Sequence, residues 1–256
     1  MSVESDVSKR GESGWWELIK IVIQALAIAL VVRVFFYQPF NIPSGSMKDT
    51  LLIGDYLFVS KLSYGYSRYS FPFSPDLFEG RVFGAEPKRG DIAVFKLPRD
   101  NSTDYIKRVI GLPGDEIVVR NGIVFLNGKE LPRKRIGSYV PPTNGGPTRK
   151  IPKYEETLPN GVSYHVLDSE TNGFFDNVGP YKVPAGHYFM MGDNRDNSTD
   201  SRATFDVGYV PYENLIGRAE IIFFSAAVDE HEAFRWYTPW TWPFDIRWER
   251  IFKLVR

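Results

Sequence analysis

The 256-residue sequence predicts a mainly β fold: an apolar N-terminal helix, then a two-lobed β body. Three observations point there. An apolar run from Ile21 to Val32, with Gln24 its one polar residue, gives way to segments with a period of two. Asn-Gly pairs, at Asn121-Gly122 and Asn127-Gly128, separate or follow β-branched runs, as hairpin turns do. Aromatics are 15% of the chain, and 22 Gly and 18 Pro supply the turns that many short strands need.

In chain order, residues 1–14 are polar and expected to be disordered and cytoplasmic. Residues 15–36 form a transmembrane anchor. The 22 residues from Trp15 to Phe36 span about 33 Å as a helix, enough for a hydrocarbon layer of about 30 Å. Glu17, Lys20 and Arg33 lie towards its ends, where long charged side chains reach the interface, and Trp15, Trp16 and Tyr37 sit where an aromatic belt would. A cleavable secretory leader or a buried soluble helix shares such an apolar run. The leader reading lacks the small residues it needs, because Arg-Val-Phe-Phe-Tyr-Gln-Pro follows. Lys9, Arg10 and Lys20 against Arg33 favour an inside N-terminus, with the body outside.

The body divides into a β core at 37–114 and 186–256 and a more variable β lobe at 115–185. "RGDIAVFKLP" (89–98), "DYIKRVIG" (104–111) and "NLIGRAEIIFFS" (214–225) read as strands. The polar, Pro-rich residues 133–156 read as a long loop or mobile excursion. Two aromatic stretches, 61–78 and 234–256, either cover the core or dip into lipid headgroups beside the anchor.

Composition narrows the function. The 31 basic and 31 acidic residues cancel, so the basic excess of a nucleic-acid binder is missing. The absence of cysteine excludes disulfides and thiolate metal sites. The three histidines, His165, His187 and His231, are too few to suggest a histidine metal cluster.

Three segments carry chemistry. In "PSGSM" (43–47), Ser46 sits in a glycine-containing loop, and a serine hydroxyl attacks only when a base takes its proton. One candidate base is His187, with Asp193 and Asp196 nearby. The other is Lys107, if apolar burial lowers its pKa by several units. On the predicted strand, Lys107 shares a face with Tyr105 and Val109, whereas Ile106 and Arg108 share the other. In "GDNRDNSTDSR" (192–202), Asp193, Asp196 and Asp200 are three and four apart. That fails the alternation of a calcium loop and suits a polar loop networked through Asp and Arg.

Taken together, "PSGSM" followed by "TLLIGDYLFV", then "RGDIAVF", "DYIKRVIGLPGD" and "GDNRDNSTDSR", resemble in type and order the bacterial type I signal peptidases. These are membrane-anchored serine proteases that remove signal peptides. The resemblance implies two antiparallel β regions with the active site at the membrane surface, and Ser46 as nucleophile with Lys107 as general base. Ser44 and the Ser46 N–H would form the oxyanion hole. Ser198 would hydrogen-bond and orient the lysine amine, and Asp200 and Arg202 would form a supporting ion pair. It also implies signal-peptide-bearing precursors and the lipid bilayer as partners, and no nucleic acid, cofactor or metal. The location implied is a bacterial inner membrane crossed once, with the body on the outer side. Small pockets for an Ala-x-Ala site are expected to be lined by Ile42, Ile92 and Ile110.

One departure stands out. Met47-Lys48-Asp49-Thr50-Leu51 occurs where the family usually has Met-x-Pro-Thr-Leu, and a local change of turn is expected. Two other classes compete: an anchored β-domain that binds an envelope partner without turnover, and a self-cleaving transcriptional regulator. The second would need a DNA-binding segment.

Overall fold

The computed structural model describes residues 4–76, 78–141, 150–170, 172–228, 234 and 237–256. Helix α1 (Glu4–Phe35) starts well before the expected anchor, so the N-terminal residues read as disordered are helical from Glu4. Its window Gly14–Phe35 is long and apolar enough to cross a membrane, and the body buries none of it.

The body begins with β1 (Tyr37–Asn41) and β2 (Asp55–Ser60), then β3 (Ile92–Lys96) and β4 (Asp104–Gly111). A meander follows: β5 (Glu116–Arg120), β6 (Ile123–Leu126) and β7 (Lys129–Glu130). Next come β8 (Arg133–Tyr139), β9 (Ile151–Thr157), β10 (Ser163–Leu167) and β11 (Val178–Lys182). The chain closes with β12 (His187–Met191), β13 (Val210–Pro211) and β14 (Leu215–Ser225). A seven-stranded sheet is ordered β1-β2-β14-β3-β4-β12-β13, and smaller sheets are ordered β10-β9-β8 and β11-β5-β6-β7. The strand pairs are antiparallel.

Local chemistry accounts for much of this. Asn121-Gly122 and Asn127-Gly128 all have positive φ, as two-residue turns joining β5 to β6 and β6 to β7 require. Ile110, Phe189 and Met191 of the large sheet join Ile117, Val119 and Val124 in one buried cluster, so the sheets share a core.

The expected excursion at 133–156 is instead mostly paired strand, with 142–149 outside the described residues. Arg133 faces Glu156 and Lys134 faces Glu155 across β8 and β9. Arg133 and Glu156 take their ion-pair partners elsewhere, Asp168 and Arg195, so it is the antiparallel β8–β9 ladder that makes strand of residues whose composition alone reads as loop. The aromatic stretches divide between core and surface among the described residues. Tyr64 and Tyr69 are buried, whereas Phe73, Trp240, Phe244, Trp248 and Phe252 are exposed.

Candidate active site

The β1–β2 connection carries Ser46. Within it, Gly45–Met47 forms a single 3-10 turn. Met47 is fully buried and packs with Ile42, Leu51 and Ile92, so apolar burial pins the turn from below. From the side, Asn194 donates its Nδ2–H to the Gly45 carbonyl (2.9 Å) and its backbone N–H to the Ser46 carbonyl (3.0 Å). Gly192 allows this approach: a Cβ there would lie 2.2 Å from Ser198 Oγ and 2.7 Å from the Ser46 carbonyl oxygen.

Lys107 lies on β4 opposite Ala93 of β3. Its Nζ is 2.8 Å from Ser46 Oγ and donates to the Ile106 carbonyl at 3.0 Å. The Tyr105 ring centroid is 5.1 Å away. The side chain is buried, and burial lowers its pKa to about 8 against the opposing charges of Asp200 and Asp193. At neutral pH about a tenth of such amines is unprotonated and, within hydrogen-bond reach of the hydroxyl, can accept its proton. Ser44 Oγ stands 3.4 Å from Ser46 Oγ at the exposed side of the turn.

Asp200 accepts from Arg202 through both oxygens (Nε to Oδ1 2.9 Å, Nη2 to Oδ2 2.8 Å) and from the Gly192 N–H at 3.0 Å. Burial opposes its charge, yet Arg202 and these hydrogen bonds hold the carboxyl below the usual carboxylate range. The Ser198 hydroxyl, expected on the lysine amine, donates instead to Asp200 Oδ2 at 2.8 Å. A carboxylate is the stronger acceptor and draws that proton away from an amine that is itself a donor when charged.

Arg108, beside Lys107 but on the other face, is wholly buried and grips both oxygens of Asp193 (2.8 and 2.7 Å). Thr50 also donates to Asp193, which ties the chain just past Ser46 to the same carboxylate. Arg195 pairs with Glu156 (2.6 and 3.2 Å), and the Tyr164 hydroxyl donates to that glutamate. Sequence reasoning anticipated an Asp–Arg network without these partners. The adjacent Lys-Arg on one strand and the Asp-Asn-Arg-Asp run were the available clues.

A cleft of about 460 Å³ opens beside Ser46 and Lys107. Ile42 lines it together with Phe40, Val94, Tyr105 and Ile106, but Ile92 and Ile110 do not. Ile92 packs beneath the turn, and Ile110 belongs to the cluster around Ile117 and Phe189. Ile106 shares the Ile110 face but stands about 13 Å earlier along the strand, at ~3.3 Å per residue, and takes the expected place.

His187 is not at the cleft. It begins β12 beside Pro211, with its Nδ1 2.9 Å from the Ala185 carbonyl oxygen. Asp49, at the position where proline was expected, lies 2.5 Å from Lys153 Nζ and 3.1 Å from His165 Nδ1, and so links the nucleophile loop to β9 and β10.

The family model described as "Signal peptidase, peptidase S26" matches residues 15–224. A signal peptidase I of Rickettsia typhi is 47% identical over 79% of this chain and 78% of its own length. One from Rickettsia akari is 41% identical over 89% and 85%, respectively. A crystal structure of a signal peptidase I from Enterococcus faecalis is 26% identical, with a TM-score of 0.31, over 52% of this chain and 97% of that one.

Proposed function

We propose, from the premise that this chain belongs to the signal peptidase family, peptidase S26, that it cleaves precursors with a Ser46 nucleophile and a Lys107 base. It is an endopeptidase that removes signal peptides from precursor proteins. The observation that carries the catalytic assignment is the 2.8 Å approach of a buried lysine amine to a serine hydroxyl, with the lysine pKa lowered to about 8.

In the reaction, the neutral Lys107 amine takes the Ser46 proton as Oγ attacks the scissile carbonyl carbon. The negative charge on the carbonyl oxygen is met by the Ser46 N–H and the Ser44 hydroxyl. As the C–N bond breaks, the Lys107 ammonium returns its proton to the leaving amine. The same amine then takes a proton from water as it attacks the acyl-serine, and as the ester C–O bond breaks the ammonium returns that proton to Ser46 Oγ, releasing the cleaved signal peptide. Loss of one oxyanion donor typically lowers kcat by about 10²–10³, so Ser44→Ala should slow turnover more than it weakens binding. Asp200, Arg202 and Ser198 act through position, holding the 192–202 loop against the Ser46 turn. Ile42, Phe40, Val94 and Ile106 are apolar walls suited to small side chains beside the scissile bond.

In this reading the enzyme sits in the bacterial inner membrane, crossed once, with the N-terminus cytoplasmic and the cleft outside; the apolar helix Gly14–Phe35 and the basic residues Lys9, Arg10 and Lys20 before or early in it support that reading. Residues 37–114 and 186–256 serve as catalytic core and 115–185 as the variable lobe. The exposed aromatics Phe73, Trp240, Phe244 and Trp248 contact lipid headgroups. The deciding experiment uses the purified full chain in detergent and a precursor with an Ala-x-Ala site. Cleavage at that site by wild type, and by neither Ser46→Ala nor Lys107→Met, supports the assignment. A folded but inert wild type would replace it with the binding-domain reading.

A further inference from the structure

Lys61 is a buried lysine that the reaction does not use. It follows β2 directly, at the head of the aromatic stretch 61–78, for which no catalytic segment accounts. Its Nζ donates to the carbonyls of Arg33 (3.0 Å), Val34 (3.2 Å) and Ser70. Its backbone N–H donates to the Phe36 carbonyl at 3.0 Å, and the Tyr66 hydroxyl donates to the Phe35 carbonyl. Two residues, Lys61 and Tyr66, thus satisfy four successive carbonyls at the end of α1. Those groups have no intrahelical partner, and they carry the negative end of the helix dipole. Phe35, Tyr66 and Phe71 close around the junction, with ring centroids 6.0–6.5 Å apart.

The connectivity gives this cap a consequence. The anchor runs straight into β1, β1 pairs with β2 from Tyr37↔Ser60 to Asn41↔Tyr56, and the connection at their far end holds Ser46. The nucleophile therefore sits beyond the far end of the β1–β2 pair, which β14 joins to the rest of the large sheet, while the near end of that pair is fastened to the membrane helix by Lys61. Burial, with the Arg33 charge adding to it, lowers the Lys61 ammonium to about 8, so at neutral pH most of it keeps three N–H donors for its three carbonyls.

Building on the peptidase reading, we infer that Lys61 is a positioning residue that fixes the height of Ser46 above the bilayer and so selects the bond cut in membrane-inserted precursors. Five residues of β1 at ~3.3 Å each set the Ser46 turn about 17 Å from the junction, so a tilt of the whole body by about 20° about that junction moves Ser46 by about 6 Å, nearly two residues of an extended substrate. Misplacement of even about 1 Å can cost about a hundredfold in rate. A soluble peptide is free to follow the cleft, whereas a precursor held by its own apolar helix is not.

The test reconstitutes the full chain in phosphatidylcholine vesicles, with two substrates: a soluble peptide spanning an Ala-x-Ala site, and a precursor carrying the same site with its apolar segment inserted. Products are identified by mass spectrometry. Lys61→Met should cleave the peptide within about twofold of wild type. On the inserted precursor it should lose about tenfold or more in rate, or cut one or two residues away. Tyr66→Phe, which removes one capping donor and keeps the ring, should show a smaller split in the same direction, and it decides the matter if Lys61→Met does not fold. Equal losses on both substrates, or none on either, would overturn the inference. A wild type that leaves the soluble peptide uncut would overturn the peptidase reading instead.

Discussion

Replacing Lys107 by methionine should abolish cleavage and at the same time stabilise the protein. In the unfolded chain this lysine titrates near 10.5; folded, burial brings it to about 8. That difference corresponds to about 3 kcal/mol by which the charged form is disfavoured in the native state. Below pH 8 both states hold the proton, so the full penalty is present. As pH rises from 8 towards 10.5 the native state releases its proton first, and the penalty disappears. Methionine has a similar shape and never carries the charge. It forfeits the contacts to Ser46 Oγ and the Ile106 carbonyl, worth about 1 kcal/mol together. The net expectation at pH 7 is a gain of about 2 kcal/mol, shrinking to nothing or reversing near pH 10. Denaturant melts of purified wild type and Lys107→Met in the same detergent, at pH 7 and pH 10, measure this difference directly. A variant less stable than wild type at pH 7, or a gain that grows with pH, would refute the claim that the lysine is held in an unfavourable environment for its charge.

The pH–rate profile reads the same group. With a base at about 8, roughly a tenth of the enzyme is competent at pH 7 and about nine-tenths at pH 9, so kcat/KM should climb about tenfold between them. A flat profile across that interval would remove Lys107 as the base. Ser46→Ala and Lys107→Arg should both fold and remain inactive, because alanine has no nucleophile and a guanidinium does not release its proton at working pH; circular dichroism with a precursor cleavage gel checks both. Asp200→Asn should shift the rising limb of the profile to lower pH, since the Asp200 charge raises the lysine pKa. The same change leaves Arg202 buried without its partner and should cost about 3–5 kcal/mol in a melt.

What the sequence made legible follows the range of the interactions concerned. The Asn-Gly turns of the β5–β7 meander are local, and two residues suffice to read them. The anchor is legible because its apolar run is broken only by Gln24. The pairing of β8 with β9 was hidden, because the ladder joins residues distant in sequence, from Tyr139↔Ile151 to Arg133↔Glu156, and nothing local in either strand names its partner. The destination of the Ser198 hydroxyl was hidden for a related reason. Lys107 and Asp200 both stand within the same small volume, and choosing between them needs the positions of both. Ile110 was placed in the cleft by its face of the strand, where its distance along the strand decided otherwise.

The Arg202–Asp200 pair that the family resemblance implies, and the Arg108–Asp193 pair beside it, have a sharper electrostatic logic. A lysine base needs its proton to leave near neutral pH, yet the loop that holds the nucleophile brings Asp193 and Asp200 close enough to retain that proton. Each of those carboxylates is gripped at both oxygens by an arginine, Arg108 or Arg202. Asp200 and Asp193 still raise the lysine pKa, but burial is the larger influence and brings it down to about 8. Removing an arginine would leave an aspartate free to hold the ammonium charged, and removing an aspartate would leave a cation that depresses the amine further. Alternating Lys107 and Arg108 on one strand places the base on the nucleophile's side and its neutralising partner on the other. A single-residue step along β4 therefore supplies both the base and part of the electrostatic balance that lets it act as one.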